Sequence, residues 1–181
     1  MNESNKKKIL GEERRTYILE CLRTANQPLS GSELSKKTHV SRQVIVQDIS
    51  LLKARNEPII ATSQGYLYLK PQSMQSSFER VIACIHKPER VREELTILVD
   101  HGVTVEDVKV EHPIYGDLTA PIMVSTRHEV EQYMNKVLDT KAAYLSQLTG
   151  GIHLHTIRAD SVEKLNAVCL DLEKAGILLE D

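Results

Sequence analysis

The eight residues 70–77, Lys-Pro-Gln-Ser-Met-Gln-Ser-Ser, are polar and follow neither the 3.6-residue period of a helix nor the two-residue period of a strand. Such a stretch has no apolar face to bury, so one hydrophobic core cannot run through it, and its composition is that of a linker. The 181-residue chain is therefore expected to form two small domains, 1–70 and 78–181, joined by 71–77. Hydrophobic content of 41% and charged content of 27% make both parts globular rather than disordered. No apolar run reaches the roughly 20 residues of a membrane span, and the start, MNESNKKKILGEERR, lacks the apolar core of a secretory signal. A cytoplasmic protein without membrane contact is expected.

The first part reads as three helices and a hairpin. A helix over 12–24 places Tyr17, Ile18, Cys21 and Leu22 on one stripe, and Asn26-Gln27-Pro28 breaks it. Ser30 is the N-cap of a short second helix over 31–37, anchored by Leu34, and Ser41 is the N-cap of a third running to about residue 55. Two β-prone runs, 59–62 and 66–69, flank Ser63-Gln64-Gly65. This is the pattern of a winged helix-turn-helix. In the third helix Ile45, Ile49 and Leu52 recur at i, i+4 and i+7 and form its buried stripe, leaving Gln43, Gln47 and Ser50 outward with Arg42 in the first turn. Gln suits adenine and Arg suits guanine or phosphate. Ser41 at the helix N-terminus suits a backbone phosphate, and Ser63 and Gln64 at the hairpin tip suit the minor groove or backbone. Val44 and Val46 either touch thymine methyls or pack.

Charge agrees: residues 1–70 hold 12 Lys/Arg against 7 Asp/Glu, whereas 71–181 hold 11 against 18. A basic head on an acidic body suits a reader of double-stranded DNA, although two surfaces also drift to such a difference by chance. Aromatics make up 4% of the chain, with no Trp, too few for base-stacking platforms on single strands. The alternative for this half is a three-helix module with a solvated polar face that binds protein.

The second part alternates. Strands are expected over 78–86, 105–111, 117–124 and 152–158, and helices over 88–101, 126–139 and 161–174, with 141–149 ambiguous and 177–179 a possible short strand after Gly176. The order β-α-β-β-α-β is that of a ferredoxin-like α/β sandwich, which makes the whole chain α+β. The three cysteines, Cys21, Cys84 and Cys169, form no CxxC pair and read as small reduced core residues.

His153-Leu154-His155 carries the chemistry of this half. Residues i and i+2 of a strand share a face, so both imidazoles point the same way and make half of a zinc, nickel or iron site. Glu94 falls within the apolar arc of Val91, Leu95 and Leu98, where a carboxylate needs a partner, and a cation is one. His86, one short turn earlier, is placed to converge with it. The competing reading has His153 and His155 exposed and Glu94 reaching out to solvent. His112-Pro113-Ile114-Tyr115-Gly116 brackets a turn, where His112 and Tyr115 either line an effector pocket or mark a hairpin corner. Phosphate-binding loops, dinucleotide-binding glycines and nucleophile elbows are all missing, as is a second carboxylate to act as base, so an enzyme is not expected.

Three segments, VEHPIYGDL (110–118), LTGGIHLHTI (148–157) and IHKPERVREEL (85–95), resemble the NiaR family of niacin-responsive repressors, in which a winged helix-turn-helix precedes a domain named 3H for three histidines. The likeness runs from about residue 12 to 179; VSRQVIVQDISLL (40–52) is common to many regulators and adds little. The resemblance implies metal ligands at His86, Glu94, His153 and His155 holding one divalent transition metal per chain (nickel, zinc or iron). It also implies a homodimer on operator DNA and nicotinic acid as co-repressor of niacin-uptake and NAD-synthesis genes. Two other readings share those ligands: a regulator that answers to the metal itself, and a small metal-dependent enzyme with a DNA-binding head.

Overall fold

The structure is a computed structural model that describes residues 10–69 and 77–179. The chain divides into two compact units, 1–72 and 73–181. Of the expected linker, only Ser77 lies within the described residues.

The first unit contains α1 (Gly11–Thr24), α2 (Gly31–Thr38), α3 (Arg42–Ala54), β1 (Ile59–Ala61) and β2 (Tyr66–Tyr68). Helix α2 starts with a reciprocal cap: the Glu33 amide donates to Ser30 Oγ at 3.1 Å and the Ser30 amide to Glu33 Oε2 at 2.7 Å. His39 ends it in the left-handed conformation, φ 55°, and Ser41 caps α3 by accepting from the Val44 amide at 3.4 Å. The core collects Ile18, Leu22, Leu34, Ile45, Ile49, Leu52 and Ile59. The α1 stripe differs from expectation. It runs Arg14–Ile18–Leu22, with Tyr17 turned outward, because α3 offers Arg14 a buried partner: Arg14 Nε lies 2.5 Å from Asp48 Oδ2. The wing also gains a strand position, since the Leu29 and Tyr66 amides and carbonyls bond reciprocally at 2.9 and 2.8 Å. Gly65, at φ +147°, permits this, since a Cβ there would run into the Leu29 carbonyl.

The second unit contains β3 (Phe78–Ile85), α4 (Val91–Asp100), β4 (Thr104–His112), β5 (Gly116–Val124), α5 (Arg127–Thr140), β6 (Ile152–Ala159) and α6 (Val162–Lys174). The ambiguous stretch resolves into a 3₁₀ turn, Leu145–Thr149. After α6, Leu178 pairs with Cys84 at the outer edge of β3. One core joins Val91, Leu95 and Leu98 of α4, Val130 and Met134 of α5 and Leu165, Val168 and Leu172 of α6 to inward residues of all four strands. The opposite sheet face leaves Val81, Ile85, Ile152 and Leu154 exposed. This is a two-layer α+β sandwich.

Strand order is where the sandwich departs from the ferredoxin-like expectation. The sheet runs β3-β6-β4-β5, every pair antiparallel, so the second and fourth strands of the unit are central; a ferredoxin-like sheet centres its first and third. Both split β-α-β units survive the exchange. The physical reason is burial: β6 hides His153, His155, Thr156, Ile157 and Ala159 and needs a neighbour on each side, whereas β3 buries only Ile82 and Cys84 and tolerates an edge.

Candidate metal centre and DNA-reading face

Four polar side chains that the sequence places far apart meet inside the second unit. His86 stands just past β3, Glu94 on the inner face of α4, and His153 and His155 on the inner face of β6; all four are buried, Glu94 to 1% exposure. The Nε2 atoms of the three rings surround one carboxylate. His86 lies 2.8 Å from Glu94 Oε2, His153 3.2 Å from Oε1 and His155 3.4 Å from Oε2. The rings stand edge to face, with centroids 4.9 Å apart for His86–His153 and for His153–His155.

The second nitrogen of each ring decides what the cluster needs. Nδ1 donates to a backbone carbonyl in every case: His86 to Lys87 at 2.9 Å, His153 to Gly151 at 2.9 Å and His155 to Asp107 at 2.6 Å. A carbonyl only accepts, so each Nδ1 carries a proton and each ring turns its Nε2 inward, where it can bind a cation or, with a second proton, donate to the carboxylate. Three ring nitrogens and an anion then face one another away from bulk solvent, an arrangement that calls for a cation, whether a metal ion or protons. Proton equilibria point the same way. Burial pushes the Glu94 acid up, but His155, His153 and His86 outweigh it and hold the carboxyl well below its ordinary range. Burial likewise pushes His86 and His155 down, and the Glu94 carboxylate overrides it, leaving both raised. Borderline nitrogen donors with one carboxylate suit nickel, zinc or iron.

Local sequence explains the aim. Gly151, at φ +103°, lets its backbone press against His86, whose carbonyl a Cβ would overlap, and its own carbonyl orients His153. A bulge between Val105 and Asp107 marks where the Asp107 carbonyl receives His155.

Sequence reading missed one neighbour. Cys84 is fully buried, directly opposite His153 in the β3–β6 ladder. Its sulfur, a Glu94 oxygen and a His153 nitrogen lie within 4.8 Å of one another. Burial and the nearby carboxylate push the thiol far above its ordinary range. The available signal was Cys84-x-His86, which mirrors His153-x-His155 on the adjacent strand.

Three spaces adjoin the cluster. One of about 20 Å³ touches Glu94, His153 and His155 beside Tyr133 and Tyr144, with room for about one water-sized group. Another of about 230 Å³ reaches His86 past Lys87, Pro88 and Gly151. The widest, about 550 Å³, is a groove bounded by Lys109, Val110, Glu111, Pro113, Asp117, Thr149, Ile152, His153 and Leu154. It opens because β4 stops pairing with β6 at Lys109–Leu154, while β3 follows β6 on to Ile152. His112 and Tyr115 stack on each other at the β4–β5 tip, centroids 4.9 Å apart, with Tyr115 exposed. His112 Nδ1 accepts from the Ile114 and Tyr115 amides at 3.2 and 3.3 Å. Neither borders these spaces; of that segment, Pro113 reaches the groove.

In the first unit α3 presents Ser41, Arg42, Gln43, Val46, Gln47 and Ser50 to the exterior. Ser63 and Gln64 are half-buried at the hairpin turn, which Thr62 closes by accepting from the Gln64 and Gly65 amides at 3.1 and 3.2 Å. No helix among the described residues is long and apolar enough to cross a membrane.

Known proteins share both units. Residues 14–67 match the HTH domain family and residues 79–181 the 3H domain family. "Transcription repressor NadR" of Bacillus subtilis strain 168 is 57% identical over 96% of this chain and 97% of its own length. "Probable transcription repressor NiaR" of Thermotoga maritima is 38% identical over 96% of this chain and 98% of its own. A DNA-reading helix-turn-helix followed by a 3H domain, with full-length relatives of this kind, places the chain in the NadR/NiaR family of transcription repressors, DNA-binding regulators rather than enzymes.

Proposed function

We propose that the chain binds operator DNA as a homodimer, with one divalent transition metal (nickel, zinc or iron) per chain held by His86, Glu94, His153 and His155 and nicotinic acid as co-repressor. The observation that carries the metal is the inward convergence of three Nε2 atoms on the buried Glu94 carboxylate. When bound, the ion neutralises that carboxylate and ties β6 to α4 and the end of β3. The chain's own atoms do the positioning: the Lys87, Gly151 and Asp107 carbonyls hold the three rings in the required tautomer.

The 550 Å³ groove suits a small aromatic acid. Pro113, Ile152 and Leu154 offer apolar walls and His153 joins it to the metal centre; Lys109 is the cation of the lining, held by Thr156 and Asp107 and set against the acidic Glu111 and Asp117. His112 and Tyr115 stand on the adjacent hairpin tip and do not line the groove. Dimerisation is supported by the exposed apolar sheet face, Val81, Ile85, Ile152 and Leu154, which a second copy would cover. Paired helix-turn-helix units read half-sites about 34 Å apart, with Ser41, Arg42, Gln43 and Gln47 on the recognition helix and Ser63 and Gln64 on the wing. Nicotinate strengthens repression only by favouring the dimer arrangement that fits DNA, since equal affinity for both arrangements shifts nothing.

The test is a gel shift on a DNA fragment that the protein itself selects from a random pool. Nicotinate is expected to raise affinity, nicotinamide to act less, and chelator or His153→Ala to abolish the nicotinate increment while leaving salt-dependent binding. A nicotinate response unchanged in His153→Ala removes the metal from the mechanism. Affinity that follows metal alone, with nicotinate inert, makes the protein a metal-responsive regulator instead.

A further inference from the structure

The metal centre offers a donor beyond the three histidines and the glutamate. Strands β3 and β6 run antiparallel side by side, with Cys84 opposite His153 and Ile82 opposite His155. Side chains two apart on a strand share a face. Cys84 therefore projects to the same side as His153 and His155, and His86 follows one step past the end of β3, making a staggered patch that faces Glu94 on α4. Three members of the patch are imidazoles and the fourth is a thiol. That thiol is fully buried, with its sulfur within 4.8 Å of both a Glu94 oxygen and a His153 nitrogen. Two donors of one zinc ion, at about 2.3 Å for sulfur and about 2.1 Å for nitrogen, stand about 3–4 Å apart at the usual bond angles. Side-chain rotation of about 1 Å draws the sulfur into that range.

We propose that Cys84 is a fifth protein ligand of the metal centre, binding as a thiolate and making the site selective for ions that accept sulfur. The proposal rests on the metal reading above. As the sulfur–metal bond forms, the S–H bond breaks and its proton passes to solvent; no electron changes hands. A site of nitrogen and oxygen alone would discriminate less between zinc or nickel and manganese, whereas a thiolate favours the former. The other two cysteines lie elsewhere: Cys21 on α1 of the first unit, and Cys169 on α6, where Arg80 Nη1 donates to its sulfur at 3.4 Å.

Cobalt(II) titration of the full-length chain separates the possibilities. Cobalt bound by histidine and carboxylate absorbs in the visible, and a thiolate ligand adds a charge-transfer band in the near ultraviolet. The wild type is expected to show both, and Cys84→Ser to keep the visible bands and lose the near-ultraviolet one. The double variant Cys21→Ser/Cys169→Ser, which leaves Cys84 as the sole thiol, is expected to keep both. In zinc–manganese competition, Cys84→Ser is expected to lose about tenfold or more of the preference for zinc. Visible bands without the near-ultraviolet band in the wild type overturn the thiolate and leave the four-ligand centre standing, as does a near-ultraviolet band that survives in Cys84→Ser. Absence of cobalt binding altogether overturns the metal reading itself.

Discussion

Replacing Glu94 by Gln keeps the shape of the side chain and removes its charge, which turns the cation requirement into a measurement. In the metal-free protein at pH 8 the wild type confines the Glu94 carboxylate among three Nε2 atoms at 2.8 to 3.4 Å. A glutamine amide donates to two of those nitrogens, so Glu94→Gln is expected to be no less stable than the wild type, within about 1 kcal/mol. Breaking an ordinary buried ion pair costs about 3–5 kcal/mol, so the two cases are well resolved. With zinc or nickel at about 1,000 times Kd the wild type gains about 4.1 kcal/mol. In a domain of this size that raises Tm by roughly 15–30 °C, while Glu94→Gln is expected to rise by a few degrees at most. The assay is thermal unfolding by circular dichroism, with and without chelator. If the variant keeps the full metal-dependent rise, Glu94 is no ligand. If metal-free Glu94→Gln loses several kcal/mol at pH 8, the carboxylate is a structural anchor for histidines and the cation argument fails.

The remaining predictions follow from the same contacts. In the absence of metal, protons are the available cations. His86 and His155 are raised above 6.5 by Glu94, so their contribution is full below that value and is lost as pH rises through the raised folded values. Metal-free Tm should therefore fall as pH rises above 6.5, while metal affinity rises as protons stop competing; a flat metal-free profile refutes the coupling. Gly151→Ala, which adds strain of about 1–3 kcal/mol at φ +103°, should lower Tm and weaken metal affinity by about tenfold, because it shifts the carbonyl that orients His153. Asp48→Ala, which strips the buried partner from Arg14 and Arg15, should cost about 3–5 kcal/mol in denaturant unfolding followed on the first unit. Gln47→Ala should cost about 1–3 kcal/mol in operator binding and relax preference at one base pair, whereas Arg42→Ala should lower the salt dependence by about one phosphate contact.

Periodicity and capping were enough for most elements. Ser30 and Ser41 announce two helices, and both caps form as local hydrogen bonds within a few residues. Period-two patterning located the strands, and with i, i+2 geometry it already put His153 and His155 on one face. Local pattern misled where a distant partner changed the outcome. Tyr17 fits an apolar stripe as well as Arg14 does until Asp48, 34 residues away, makes the buried position ionic. The Leu29–Tyr66 pairing is likewise invisible before the chain folds back.

By itself, then, the sequence determined most helices and strands, the outward polar face of the third helix and the shared face of His153 and His155, because each rests on spacing along the chain. Tertiary structure alone decided that the second and fourth strands of the 3H domain are central, that Cys84 stands opposite His153, and that every Nδ1 finds a carbonyl so that every Nε2 faces Glu94. Strand order depends on which strand needs burial on both edges. The direction in which a ring turns its Nε2 depends on a backbone oxygen that, for His155, lies 48 residues away on Asp107. Neither quantity has a period, and so neither can be read along the chain.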